Sequence, residues 1–108
     1  EIGNSGSFFK NPIVPTAKYE ELKAKHENMP AYPSADGQMK LAAGWLIEQA
    51  GWKGFREGDY GVHQKQALVL VNYGNATGEE IYYLSERIIR SVEEKFGVLL
   101  EREVNIIS

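Results

Sequence analysis

The stretch Gln66 to Gly97, QALVLVNYGNATGEEIYYLSERIIRSVEEKFG, decides the fold class. It opens with the unbroken apolar run Ala67-Leu68-Val69-Leu70-Val71, so Gln66 to Asn72 reads as a strand covered on both faces or central in its sheet. Asn72 to Ala76 is a turn. Thr77, with Glu80 three residues on, then forms a capping box that opens the longest helix, whose core stripe is Ile81, Leu84, Ile88, Val92 and Phe96. Glu79 and Glu80 at its positive end and Lys95 at its negative end suit the helix dipole, and Gly97 closes it. A strand feeding an amphipathic helix calls for a helix layer on a sheet.

Upstream, Ser7 to Val14 has the β-branched and aromatic content of a short strand, interrupted at Asn11-Pro12. Pro15-Thr16 opens a polar helix to about Asn28 with Thr16 as N-cap, and Met29-Pro30 stops it. Ala31 to Gly37 reads as a loop. From Gln38 to Ala50 the residues Met39, Leu41, Ala42, Ala43, Trp45, Leu46, Ile47 and Ala50 are apolar almost all round, which predicts a buried helix stopped by Gly51. Gly54, Gly58 and Gly61 mark a loop needing positive φ or close backbone approach. Downstream, Val98 to Ile107 alternates loosely and reads as a strand. The expectation is a single α+β domain with three helices packed on a small mixed or antiparallel sheet.

Composition narrows the function. The 108 residues support one core, and the absence of cysteine excludes disulfides, Fe-S clusters and thiolate nucleophiles. Twelve Lys and Arg stand against 15 Asp and Glu, a net charge of −3, without a like-charge run that would serve as a nucleic-acid or membrane footprint. With no signal peptide or membrane-length apolar run, a soluble, cytoplasmic protein is expected. The chain starts at Glu1 rather than Met and soon reaches the strand-like Phe8-Phe9, so a longer parent polypeptide is also expected.

Lys40 is anomalous on this reading. A cation in the opening turn of a helix meets the positive end of the dipole, and a bound phosphate would offset the cost, with Lys53 as a second cation. The ordinary alternative is that both lysines are simply solvated. Ser7, Asn11 and Gln66 are small polar groups beside apolar segments, suited either to hydrogen-bonding a polar ligand or to turns and edges. Glu101 and Glu103 share one face of the last strand, where such charges commonly just block edge pairing. His26 and His63 fall in no metal-binding frame, so no metal site is expected. Gly3-Asn4-Ser5-Gly6-Ser7 has neither P-loop nor nucleophile-elbow spacing.

Four stretches carry a family resemblance. Gly6-Ser7-Phe8-Phe9-Lys10-Asn11-Pro12, Tyr32-Pro33 with Lys40-Leu41-Ala42-Ala43-Gly44-Trp45-Leu46-Ile47-Glu48, and Leu100-Glu101-Arg102-Glu103-Val104 occur in the order and spacing of the C-terminal, substrate-binding domain of the UDP-N-acetylenolpyruvoylglucosamine reductase (MurB) family. The chain resembles that domain over residues 1–108. The resemblance implies a flavoenzyme in which NADPH reduces FAD, and the reduced flavin passes hydride to UDP-N-acetylglucosamine enolpyruvate to give UDP-N-acetylmuramate, a peptidoglycan precursor. It matches Ser7 to the general acid and Glu103 to the carboxylic residue that assists the enol-like intermediate. It matches Asn11, Tyr32, Lys40, Lys53 and Gln66 to substrate-binding positions. It assigns FAD to a separate FAD-binding domain of the same polypeptide, so the chain alone is expected to be inactive and to carry no cofactor. Apart from the resemblance, a stand-alone UDP-sugar or nucleotide-binding module, or an α+β interaction domain without ligand, fits the residues as well.

Overall fold

A computed structural model describes residues 8–103. The elements run β1 (Ile13–Pro15), α1 (Thr16–Lys25), β2 (Ala31–Pro33), β3 (Gln38–Leu41), α2 (Ala43–Gln49), β4 (Arg56–Glu57), β5 (Tyr60–Val62), β6 (Leu70–Asn72) and α3 (Gly78–Phe96). The class is α+β with three helices, as the pattern predicts. The strands form two antiparallel three-stranded sheets, ordered β1-β3-β2 and β4-β5-β6.

α3 forms where its caps and stripe place it. The Thr77 hydroxyl accepts from the Glu80 amide, the Glu80 carboxylate accepts from the Thr77 amide, and Gly97 ends the helix at φ 69°. Leu84, Ile88, Val92 and Phe96 are buried. Leu46 and Ile47 of α2 enter the same core, with Leu22, Met29, Leu41, Val62 and Leu100. Each large aliphatic side chain buried there contributes on the order of 1.5–3 kcal/mol. His26, Trp45 and Phe96 meet edge to face or tilted, with centroids 5.1–6.0 Å apart, and so tie the end of α1 to α2 and α3.

Several local expectations are corrected. The predicted helix over Gln38 to Ala50 is a strand followed by a helix: β3 alternates exposed Gln38 and Lys40 with half-buried Met39 and buried Leu41, and α2 starts only at Ala43. Lys40 therefore lies outside any helix, and the dipole argument made for it does not apply. Thr16 is the first helical residue of α1, with Pro15 at the N-cap, and the helix ends at Lys25. The Ala31–Gly37 segment contributes β2 to the sheet rather than a plain loop. The strand expected over Gln66–Asn72 shortens to β6, because Ala67 and Leu68 turn. Of the two terminal strands, the part described beyond β1 is an antiparallel bridge between Phe9 and Arg102.

The glycine-marked region is a hairpin, β4 to β5. Gly54 and Gly58 have φ of 80° and 60°. Gly61 has no room for a side chain: a Cβ there would collide with the Phe55 carbonyl oxygen and lie 2.9 Å from Arg56 Cα. Arg87 of α3 donates to Glu57 at 2.8 Å and so fastens the hairpin to the helix. That bond, with one from Tyr60, holds the Glu57 carboxyl below the usual carboxylate range, while desolvation and the Glu57 carboxylate raise the Tyr60 phenol.

Candidate functional site

Antiparallel register builds one side of the site. Ile13, Lys40 and Tyr32 are paired across β1, β3 and β2, so their side chains stand in one row on the outer face of that sheet. Ile13 and Tyr32 are 51% and 54% exposed, whereas Leu41, one residue along β3 from Lys40, is buried on the inner face. Among the described residues Lys40 has no carboxylate within 4 Å, which leaves its ammonium available on that row.

The pair of segments at Phe9 and Arg102 builds the opposite side. The Lys10 amide donates to the Glu101 carbonyl and the Glu103 amide to the Phe8 carbonyl, both at 2.9 Å. Alternation then puts Phe8, Lys10, Glu101 and Glu103 on one face of this ladder and Phe9 and Arg102 on the other. Glu101 and Glu103 do share a face, as their spacing predicts. The Lys10 ammonium lies 4.0 Å from Glu101, an exposed pair.

Between these two sides lies a cleft of about 420 Å³ lined by Phe9, Lys10, Asn11, Ile13, Lys40, Leu68 and Glu103. Two cations, a carboxylate and an amide thus converge on an opening floored by apolar groups, the composition expected of a site for a polar, anionic small molecule. Asn11 has a structural part as well. Its Oδ1 accepts from the Ala43 amide at 3.0 Å and caps α2, whose own N-cap residue, Ala42, has no side chain to do so.

Gln66 sits apart. It lines a second opening of about 290 Å³ with Gly44, Glu48, Lys65, Ala67 and Leu68, and Leu68 borders both clefts. Lys53 lies 3.6 Å from Glu48, which belongs to that second opening. The structure therefore brings Asn11, Lys40 and Glu103 together, stands Tyr32 beside Lys40, leaves Gln66 in the opening across Leu68, and pairs Lys53 with Glu48 at that opening's edge. Ser7 lies outside the described residues; in the chain it directly precedes Phe8, the residue opposite Glu103.

Two further residues near the site lie inside the stretches that carry the resemblance but are not among the candidate site residues. Lys10 is next to the recognisable Asn11 but shows its place only through the ladder. Arg102 reaches α3: Nε donates to Ser85 Oγ at 2.8 Å, Nη2 to Glu86 Oε1 at 2.6 Å, and the guanidinium carbon lies 3.9 Å from the Tyr82 ring centroid. The Arg102 hydrogen bond, supported by Arg90, holds the Glu86 carboxyl below its usual range. Among the described residues no group of three or more potential ligands is arranged for a metal ion.

The family model for the C-terminal domain of UDP-N-acetylenolpyruvoylglucosamine reductase matches residues 1–107. A UDP-N-acetylenolpyruvoylglucosamine reductase of Pseudomonas fluorescens is 60% identical over 105 residues, which are 97% of this chain and 31% of that protein. A second from the same species is 61% identical over 104 residues, with 96% and 31% covered. The protein of that name from Chromobacterium violaceum is 58% identical over 102 residues, with 94% and 30% covered. The chain thus spans under a third of the length of these relatives.

Proposed function

Since this chain belongs to the family of UDP-N-acetylenolpyruvoylglucosamine reductase C-terminal domains, we propose that it binds UDP-N-acetylglucosamine enolpyruvate and protonates it during reduction to UDP-N-acetylmuramate in peptidoglycan precursor synthesis. The observation that carries this reading is the convergence of Asn11, Lys40 and Glu103, from three remote segments, on one cleft. A nucleotide sugar with a diphosphate and an enolpyruvyl carboxylate is an anionic ligand, and the lysines of the two openings are its natural counter-charges.

The described residues carry no dinucleotide-binding fingerprint. Their sheets are short and antiparallel, without the parallel βαβ unit and glycine-rich turn that receive a dinucleotide pyrophosphate. In this reading the flavin is held by the FAD-binding domain of the same polypeptide and supplies the hydride, drawn from NADPH. What falls to this chain is the proton and the field around it. Ser7 donates to the carbon that becomes the lactyl α-carbon, and Glu103 assists the enol-like intermediate. A serine serves as an acid only where its alkoxide is stabilised and water is kept out, so closure of the site by the rest of the polypeptide is part of the proposal. Lys40, Tyr32 and Asn11 hold the substrate from one side, and Lys53 and Gln66 from the other side of Leu68. The parent enzyme is placed in the cytoplasm, where NADPH is at hand; no helix among the described residues is long and apolar enough to cross a membrane.

Titration calorimetry on the full-length polypeptide tests the binding assignment. The enolpyruvyl substrate binds the parent protein, added salt weakens it, and the Lys40→Ala, Lys53→Ala double variant lowers affinity by at least about tenfold. Unchanged affinity in that variant would remove the anion-site role.

A further inference from the structure

Among the described residues, two backbone hydrogen bonds, Lys10 to Glu101 and Glu103 to Phe8, join the segments around Phe9 and Arg102. Glu103 lies next to Arg102 and on the opposite face, so any shift of Arg102 moves Glu103 within the cleft.

Arg102 itself is tied down on three sides. Ser85 and Glu86 take its Nε and Nη2, and the Tyr82 ring lies beneath the guanidinium. Ser85 is the buried polar side chain of the described core, at 0% exposure, and it is fully used: its hydroxyl donates to the Tyr82 carbonyl at 2.6 Å and accepts from Arg102. Glu86 is steadied in turn by Arg90 at 3.5 Å. A polar device of this kind adds little net stability over an apolar filling of the same space. What it does supply is a fixed register between the chain bearing Glu103 and the longest helix, α3, with its capped ends and buried stripe.

We infer that Arg102 is a positioning residue: by anchoring to Ser85, Glu86 and Tyr82 of α3 it fixes Glu103 in the substrate cleft. The inference rests on the proposed role of Glu103 in the reaction. A displacement of about an ångström at a reacting group is enough to cost one to two orders of magnitude in rate, which gives the anchor a functional reason.

The test uses the full-length reductase and compares Arg102→Leu, Ser85→Ala and Glu103→Gln. Three quantities are read: amide exchange of the segments containing Lys10 and Glu103, exchange across residues 84–96, and kcat and KM for the enolpyruvyl substrate. In Arg102→Leu, exchange at the Lys10 and Glu103 amides rises by about tenfold or more, exchange in α3 stays as in wild type, and kcat falls about tenfold with KM little changed. Ser85→Ala, a smaller change that keeps the fold if Arg102→Leu does not, moves the same quantities in the same direction to a lesser degree. Glu103→Gln lowers kcat without raising exchange. Wild-type exchange at the ladder in both Arg102→Leu and Ser85→Ala overturns the anchoring inference, as does faster exchange with unaltered kcat. Unaltered kcat in Glu103→Gln, with faster exchange in Arg102→Leu, overturns instead the proposed role of Glu103 and leaves the anchor standing as a structural one.

Discussion

Replacing Asn11 separates its structural part from its proposed contact with substrate. Its Oδ1 accepts from the Ala43 amide at 3.0 Å and is the side-chain cap of a helix only seven residues long. Asn11→Ala removes that acceptor, and loss of such a cap costs about 1 kcal/mol. For a domain of this size, whose unfolding entropy is on the order of 0.2 kcal/mol per kelvin, the melting temperature of the 108-residue chain falls by roughly 5 °C. Asn11→Asp behaves differently, because a carboxylate accepts the same hydrogen bond and sits favourably at a helix N-terminus, so stability returns to near wild type. Binding reverses the order. A negative charge placed in the cleft repels an anionic ligand by about 1 kcal/mol at 4 Å in water and more where water is excluded, so substrate affinity of the full-length protein drops at least about fivefold in Asn11→Asp. Differential scanning calorimetry and titration calorimetry read the two effects. Equal destabilisation by Ala and Asp would refute the capping argument, and wild-type affinity in Asn11→Asp would refute the presence of an anionic ligand beside Asn11.

Other outcomes follow from the same structure. Gly61→Ala forces the β4–β5 hairpin apart at the Phe55 carbonyl and lowers stability by about 2–3 kcal/mol in urea unfolding; a loss under about 0.5 kcal/mol would show that the hairpin yields without cost. The Glu86 carboxyl is held low by Arg102 and Arg90, so its contribution is present above the ordinary carboxylate range and lost as pH falls through the lowered value. The melting temperature of wild type therefore exceeds that of Glu86→Gln at neutral pH, and the gap closes in acid; a gap independent of pH would contradict the pairing. The purified 108-residue chain is colourless in an absorbance scan, and a stoichiometric flavin peak would overturn the assignment of FAD to the rest of the polypeptide.

α3 was legible because its signals are local: Thr77, Glu80 and Gly97 fix its ends, and the stripe from Ile81 to Phe96 fixes its inner face. The boundary at Ala42 was hidden for the opposite reason. Met39, Leu41, Ala42 and Ala43 run into the helix as one apolar stretch, and the acceptor that caps α2 comes from Asn11, 32 residues away. On sequence alone Lys40 therefore reads as a helix residue, although its place in the cleft depends on pairing with Ile13 and Tyr32. The hairpin's glycines signalled special backbone, but strands of two and three residues leave too short a pattern to show period two. The site is non-local throughout. Asn11, Lys40 and Glu103 meet through the β1-β3-β2 sheet and the Phe9–Arg102 bridge, so no single window of sequence contains the site; only the family resemblance joins them in advance.

The proposed division of labour between this chain and the rest of the polypeptide is tested most directly by Ser7→Ala in the full-length enzyme, with each half-reaction followed by rapid-mixing absorbance of the flavin. Reduction by NADPH needs no proton donor for the sugar substrate and proceeds at nearly the wild-type rate. Reoxidation by the enolpyruvyl substrate requires a proton on the carbon next to the one that receives hydride, and it slows by roughly 10²- to 10⁴-fold while substrate affinity changes little. Equal slowing of both halves, or an unchanged second half, would contradict the assignment of proton transfer to this chain.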